Sequence, residues 1–228
     1  MTKNSTRIVR GENWKDPVLN VEFIWLPALE FWVGKHVTTN AEYRAFNAAH
    51  DSGEYEGETL NGDRQPVVQV SYEDAMAYCG WFTERLRDRN AIQNGQFLRL
   101  PSHQEWTVFA SCGKQKEFPW GDEWPPIYGN YADETARRKY RDWEHIAGYD
   151  DHATVTCPVE ESGANEWGLW GVGGNVYEWT FQAGGTSCEL RGGSWTTCQK
   201  EYLRINNRYP REPSTRLLNF GFRPVLVL

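Results

Sequence analysis

GLWGVGGNVYEWT (168–180), LRGGSW (190–195) and GFRPV (221–225) place glycine, tryptophan and charge side by side, with neither the 3.6-residue period of a helix nor the sustained alternation of a half-buried strand. The first two belong to a longer stretch, Phe118 to Gly193, in which glycine, proline, aspartate and tryptophan are interleaved in the same way. That pattern predicts irregular but ordered coil. Coil longer than about 15 residues inside a domain needs something to hold it. Twelve Trp, eleven Tyr and ten Phe among 228 residues supply buried anchors, and the carboxylates of the same stretch supply oxygens for an ion.

Outward from this centre the chain becomes more regular. Three segments carry helix start signals: Thr39 to His50, with Thr39 and Glu42 at capping-box spacing; Ser71 to Arg89, with Ser71 and Asp74; and a shorter one from Ser102, paired with Glu105. The second has an apolar face of Ala75, Tyr78, Cys79, Phe82 and Leu86, and the third buries Trp106, Phe109 and Ala110. Short apolar runs bounded by turn residues predict strands at Phe23–Leu26, Phe31–Val33, Phe97–Leu100, Cys188–Arg191 and Phe220–Leu228. Residues 51–65 read as a polar loop. The class is therefore α+β, with two to three helices, few short strands and much coil.

A chain of 228 residues fits one domain with a short appendage, here a polar N-terminal arm (1–20), either frayed or docked to a partner subunit, and a domain from 21 to 228. With 24 basic against 31 acidic side chains the net charge is −7, which argues against nucleic acid as a partner. No apolar run is long enough for a membrane span. The N-terminus lacks the apolar segment of a signal peptide, which predicts a cytoplasmic protein and leaves display on a cell surface or phage particle by another route open. Five cysteines without a CxxC pair predict free thiols, and five histidines without HxxxH or HExxH spacing offer no zinc motif.

Taken with VTTNAEYRAF (37–46), PVVQVSYEDAMAYCGWFTERL (66–86), RLPSHQEW (99–106) and FPWGDEW (118–124), the opening strings resemble, in order, the formylglycine-generating enzyme or sulfatase-modifying-factor domain, a variant of the C-type lectin fold. The likeness runs from about Phe23 to the last residue and implies that fold. It does not decide function, because the same domain type hosts both oxidases and binding proteins.

Enzymes of this family hold cuprous copper between two cysteines that lie two and seven residues after the aromatic of the GGS-aromatic string, soft thiolates being suited to Cu(I). Counted from Trp195, those positions are Thr197 and Tyr202, and neither supplies a thiolate. Cys198 lies one residue beyond the first position and is the residue through which an oxidase acting on a peptide cysteine would have to work, with copper as its cofactor. The resemblance also implies structural Ca²⁺. One site would use Asp133, the Glu134 carbonyl, Asp151 and the Ala153 carbonyl, and a second the carbonyls of Gly174 and Val176 with Glu178, although its first oxygen ligand falls on Gly171 here.

With the copper positions changed, the segment from Trp195 to the GFR string reads as a recognition surface for a protein or glycan. Its candidate contact residues are Trp195 as a floor, Thr196, Thr197, Gln199, Lys200, Glu201, Tyr202, Tyr209, Arg211, Glu212, Leu217 and Asn219. The arrangement is similar to that of the variable proteins of diversity-generating retroelements, which carry their variable segment between a GGSW-like string and a terminal GFR-like strand. Gln199, Lys200 and Glu201 do not arise from asparagine codons by adenine mutation alone. The expectation is a non-catalytic binding protein, with a copper-dependent oxidase as the alternative.

Overall fold

In the computed structural model, which describes residues 7–182 and 187–228, the chain opens with an antiparallel meander of β1 (Trp14–Lys15), β2 (Glu22–Leu26) and β3 (Phe31–Gly34). Then come α1 (Asn40–Arg44), a hairpin of β4 (Glu54–Tyr55) and β5 (Glu58–Thr59), α2 (Tyr72–Asp88), β6 (Phe97–Arg99) and α3 (His103–Ser111). After α4 (Glu134–Lys139) come β7 (Tyr177–Phe181), β8 (Cys188–Arg191), β9 (Tyr209–Pro210), β10 (Phe220–Gly221) and β11 (Val225–Val227). Five strands form one antiparallel sheet in the order β1-β2-β3-β11-β6, so the last strand is inserted between β3 and β6. A second sheet runs β10-β7-β8-β9, with β10 parallel to β7 and the other pairs antiparallel. This is the expected α+β architecture of few helices, small sheets and long connecting coil.

All three predicted capping boxes are present: Thr39, Ser71 and Ser102 each accept the N–H three residues on, and Glu42, Asp74 and Glu105 return the bond. The apolar face predicted for α2 is buried throughout. Helix α1 stops at Arg44 instead of continuing to His50. Beyond it the chain turns so that His50 faces the Val68 carbonyl (3.1 Å), while the Asn40 amide gathers the carbonyls of Leu60 and Gly62 at 2.9 and 3.0 Å. Tertiary hydrogen bonds thus override local helix propensity. Helix α4 lies within the stretch expected to be coil, where Asp133 caps it through Ala136 N–H (2.8 Å) and Arg137, Arg138 and Lys139 close it.

Tryptophan does hold the coil. The indole N–H of Trp32 reaches Glu12 O (2.8 Å), Trp120 reaches Glu123 O (2.9 Å), Trp179 reaches Val70 O (2.9 Å) and Trp195 reaches Leu218 O (3.3 Å). Each ring fills core while its one donor satisfies a carbonyl of a neighbouring loop or turn. Gly192 is required where the two opening strings meet. At φ +80° its position would bring a Cβ within 2.8 Å of Gly173 Cα.

One expectation is corrected. The run Phe220–Leu228 is two strands in different sheets, because Phe222 to Pro224 break the ladder and send Arg223 inward. Within residues 7–20, Ile8 and Trp14 are buried, Ile8 N–H bonds Ala91 O (3.0 Å), and the fully buried Asp16 pairs with Arg89 at 2.8 Å.

Arg223 and Glu178, both 0% exposed, sit where the two sheets approach. Arg223 donates to both Glu178 oxygens (3.1 and 3.0 Å), to Gly34 O (3.0 Å) and to Trp170 O (2.7 Å), and Trp106 Nε1 adds a bond to Glu178 Oε2 at 3.2 Å. Replacing one partner leaves the other charge buried alone, at a cost of about 3–5 kcal/mol. Arg223→Met is expected to lose stability of that order in urea unfolding, and adding Glu178→Gln to recover a large part of it. Equal stability of Arg223→Met and the parent would show that the pair contributes nothing.

Candidate functional site

Side chains alternate across a strand, so the second sheet has two different faces. Glu178 and its cross-strand partner Arg191 point to the inner one, where Arg191 lies 4.8 Å over the Trp106 ring and bonds the His103 carbonyl at 2.8 Å. On the outer face each strand contributes one residue to the floor of a groove of about 460 Å³: Phe220 from β10, Tyr177 from β7, Leu190 from β8 and Tyr209 from β9. Residues 196–202, which run into a 3₁₀ turn, and the coil of 211–219 form its walls.

Most of the expected recognition residues converge here. Thr196, Thr197, Gln199, Tyr202, Tyr209, Arg211, Leu217 and Asn219 all line the groove. Tyr202 and Leu217 are 47% and 48% exposed, which places large apolar surface in water at its rim. The others lie elsewhere. Trp195 is not a floor: it is 1% exposed and packs on Tyr55 and Trp143, while Tyr177, Leu190 and Phe220 take that role. The Lys200 ammonium lies over the Phe118 and Trp124 rings at 5.5 and 5.7 Å, and Glu201 and Glu212 are exposed without lining the groove. Tyr177 was legible only as part of the GNVYEWT string. Leu190 and Phe220 carried no polar mark that distinguishes a groove floor from core.

The floor is held by its own hydrogen bonds. Thr197 Oγ1 accepts Ser194 N–H (3.1 Å) and donates to the Tyr177 phenol (3.0 Å), and Asn219 Nδ2 donates to Thr196 Oγ1 (2.9 Å). Asn207 Nδ2 donates to the Tyr209 phenol (2.6 Å), which donates to Tyr202 O (3.1 Å). Tyr209 meets Tyr177 edge to face at 5.0 Å and Tyr202 at 5.9 Å. Burial raises both the Tyr177 and Tyr209 phenols, and for Tyr209 the neighbouring Tyr177 adds to it, so both remain protonated donors. Such a surface offers hydroxyls, amides and rings in fixed positions.

The copper positions hold groups unsuited to the metal. The Thr197 hydroxyl is committed to Ser194 and Tyr177, and Tyr202 presents its ring at the rim. Cys198 faces Glu144 Oε2 at 4.0 Å, with its thiol raised by burial and then by that carboxylate, and Cys188 faces the Arg211 carbonyl at 3.3 Å. All five cysteines are free, and these residues do not fit a two-thiolate Cu(I) site.

For calcium the two expected sites differ. Asp133 accepts the Ala136 and Asp151 N–H groups (2.8 and 2.6 Å), and Asp151 accepts those of Tyr131 and Ala153 (2.8 and 3.0 Å). Burial first, and nearby carboxylates after it, hold both acids above the ordinary carboxylate range. A buried acid, Asp133, and a half-buried one, Asp151, with the Glu134 and Ala153 carbonyls next to them in sequence, offer carboxylate and carbonyl oxygens of the kind a calcium ion takes. Among the described residues no group of three or more His, Cys, Asp or Glu is placed to hold a metal, so carbonyls would have to complete the shell. Glu178 does not fit the second site, because both its oxygens are engaged by Arg223.

Comparison with known proteins follows this geometry. The profile of the sulfatase-modifying factor enzyme 1-like domain matches residues 22–227. The formylglycine-generating enzyme of Thermomonospora curvata is 30% identical over 162 residues, 68% of this chain and 44% of that protein. The inactive C-alpha-formylglycine-generating enzyme 2 of Bos taurus is 30% identical over 172 residues, 69% of this chain and 49% of that one. The chain thus spans about half the length of the curated relatives it matches. Among solved structures, Treponema denticola variable protein 1 superposes with a TM-score of 0.61 at 20% identity, covering 96% of this chain and 92% of that one.

Proposed function

The chain belongs to the sulfatase-modifying factor enzyme 1-like domain family, and within it we propose a non-catalytic binding protein whose groove, between residues 196 and 219, takes a protein or glycan ligand. The carrying observation is that one residue from each strand of the second sheet and the coil around them converge on a single groove, while both copper positions are occupied by oxygen-bearing side chains built into it. Relatives in this family bear names of both active and inactive enzymes, so membership alone does not favour catalysis. Affinity would come from the aromatic and arginine anchors Tyr202, Tyr209 and Arg211, set on a floor that needs little reordering.

A finer reading makes the 196–219 segment a diversified one. Its placement between GGSW and GFR supports this, and Thr196, Thr197, Gln199, Arg211, Leu217 and Asn219 line the groove from coil, where substitution disturbs the core least. Calcium at Asp133 and Asp151 is proposed as a structural ion that steadies the turn leading into α4, on the wall of coil that backs Trp195.

Three outcomes check these readings. On a panel of immobilised peptides and glycans, Tyr209→Ala and Arg211→Ala are expected to lose capture by roughly 30-fold or more while melting like the parent; capture unchanged in both removes this groove from consideration. Sequencing the gene's 3′ end and its flanking DNA is expected to find an imperfect copy of the codons for 196–219 that differs mainly at adenines. An invariant segment without such a copy leaves a fixed receptor. Millimolar Ca²⁺ is expected to raise the melting temperature of chelator-treated protein but not of Asp133→Asn, and no shift in either would discount the ion.

A further inference from the structure

Beside the groove, and sharing Thr196 and Gln199 with it, lies a second hollow of about 310 Å³, lined also by Asp142, Trp143, Glu144 and Cys198. Trp143 is backed by Trp195, stacked at 5.7 Å and 24°, and is flanked by Tyr55 and Tyr140. It is nevertheless only half-buried, and lines the hollow. Asp142 and Glu144 on either side of it are exposed, and among the described residues neither forms an ion pair. Glu144 is instead positioned by the Gln199 amide (3.0 Å), the same side chain that separates the two hollows. Of the basic residues nearby, Arg138 pairs with Asp150 and Lys139 with Glu58, and the exposed Arg141, next to Asp142 in sequence, forms no ion pair among the described residues.

An indole flanked by two carboxylates outside any ion pair attracts a cation, because the ring quadrupole and the acids act together. Across the Thr196–Gln199 ridge the charge is reversed, since among the described residues the Arg211 guanidinium in the main groove bonds only its neighbouring Pro210 carbonyl. We propose that the second hollow receives a lysine or arginine side chain of a peptide ligand that crosses this ridge and lays its remaining residues in the groove. The placement of those remaining residues rests on the groove reading; the cation preference of the hollow does not.

The test uses the full chain, isotopically labelled, with Nα-acetyl-lysine methylamide as probe and the norleucine analogue as its uncharged counterpart. The lysine probe is expected to shift the Trp143 indole N–H and the Gln199 side-chain amide saturably, with a dissociation constant on the order of 10 mM or below. The norleucine probe is expected to leave them in place. Asp142→Asn combined with Glu144→Gln, both at exposed positions, is expected to weaken lysine binding roughly tenfold, while Tyr209→Ala leaves it unchanged. Equal shifts with the two probes, undiminished binding by the double variant, or no saturable shift with lysine would each overturn the proposal. Because Tyr209→Ala reports on the groove and the double variant on the hollow, the failure of one reading is separable from that of the other.

Discussion

The buried pair of Arg223 and Glu178 is the joint on which the rest of the molecule depends. Arg223 precedes the last strand, and its guanidinium simultaneously satisfies β3 at Gly34, the coil at Trp170 and β7 at Glu178, while Trp106 of α3 shares the same carboxylate. Four separate segments therefore have to be in register before either charge is paired. Ion pairs of this kind add little net stability over apolar packing, since desolvation offsets most of the attraction. What the pair contributes is selection among arrangements: an alternative docking of the C-terminal strand strands a full charge in the core. That explains how a domain with so little regular structure settles on one path for its coil.

The same joint separates scaffold from surface. Because Glu178 and Arg191 face inward, strand alternation obliges Tyr177 to face outward, and the parallel pairing of β10 with β7 sets Phe220 directly beside it. Leu190 and Tyr209 meet as partners in the neighbouring ladder. The floor of the groove is thus a by-product of the register that buries the ion pair. Coil residues can change around such a floor without altering it, which is the physical condition for a surface that recognises different ligands on one frame.

Much of this was legible in the sequence, and unevenly so. Capping boxes are local and survived intact, as did strands such as Cys188–Arg191, where apolar content and flanking turns agree. Strand β7 was hidden because YEWTF buries a glutamate, a choice that only the distant Arg223 makes tolerable. Helix α4 was hidden because Asp133 reads equally well as a metal ligand and as a cap, and one of its oxygens does accept the Ala136 N–H at the helix start. For the groove, side chains on coil were recognisable from their variety. The apolar floor was not, since Leu190 and Phe220 look like any core residue until the sheet is assembled, and Trp195 resembles a floor until its indole is found facing Leu218.

The pattern of hydroxyls at the groove bears on how the central aromatic of its floor is held. A thiol at position 197 would be a weak partner for both the Ser194 N–H and the Tyr177 phenol, whereas the threonine oxygen accepts from one and donates to the other. The ring of Tyr177 is thereby fixed against Phe220 and Tyr209. Thr197 is therefore the residue that orients the groove's central aromatic. Preorganisation of this kind lowers the cost of ordering the surface when a ligand arrives.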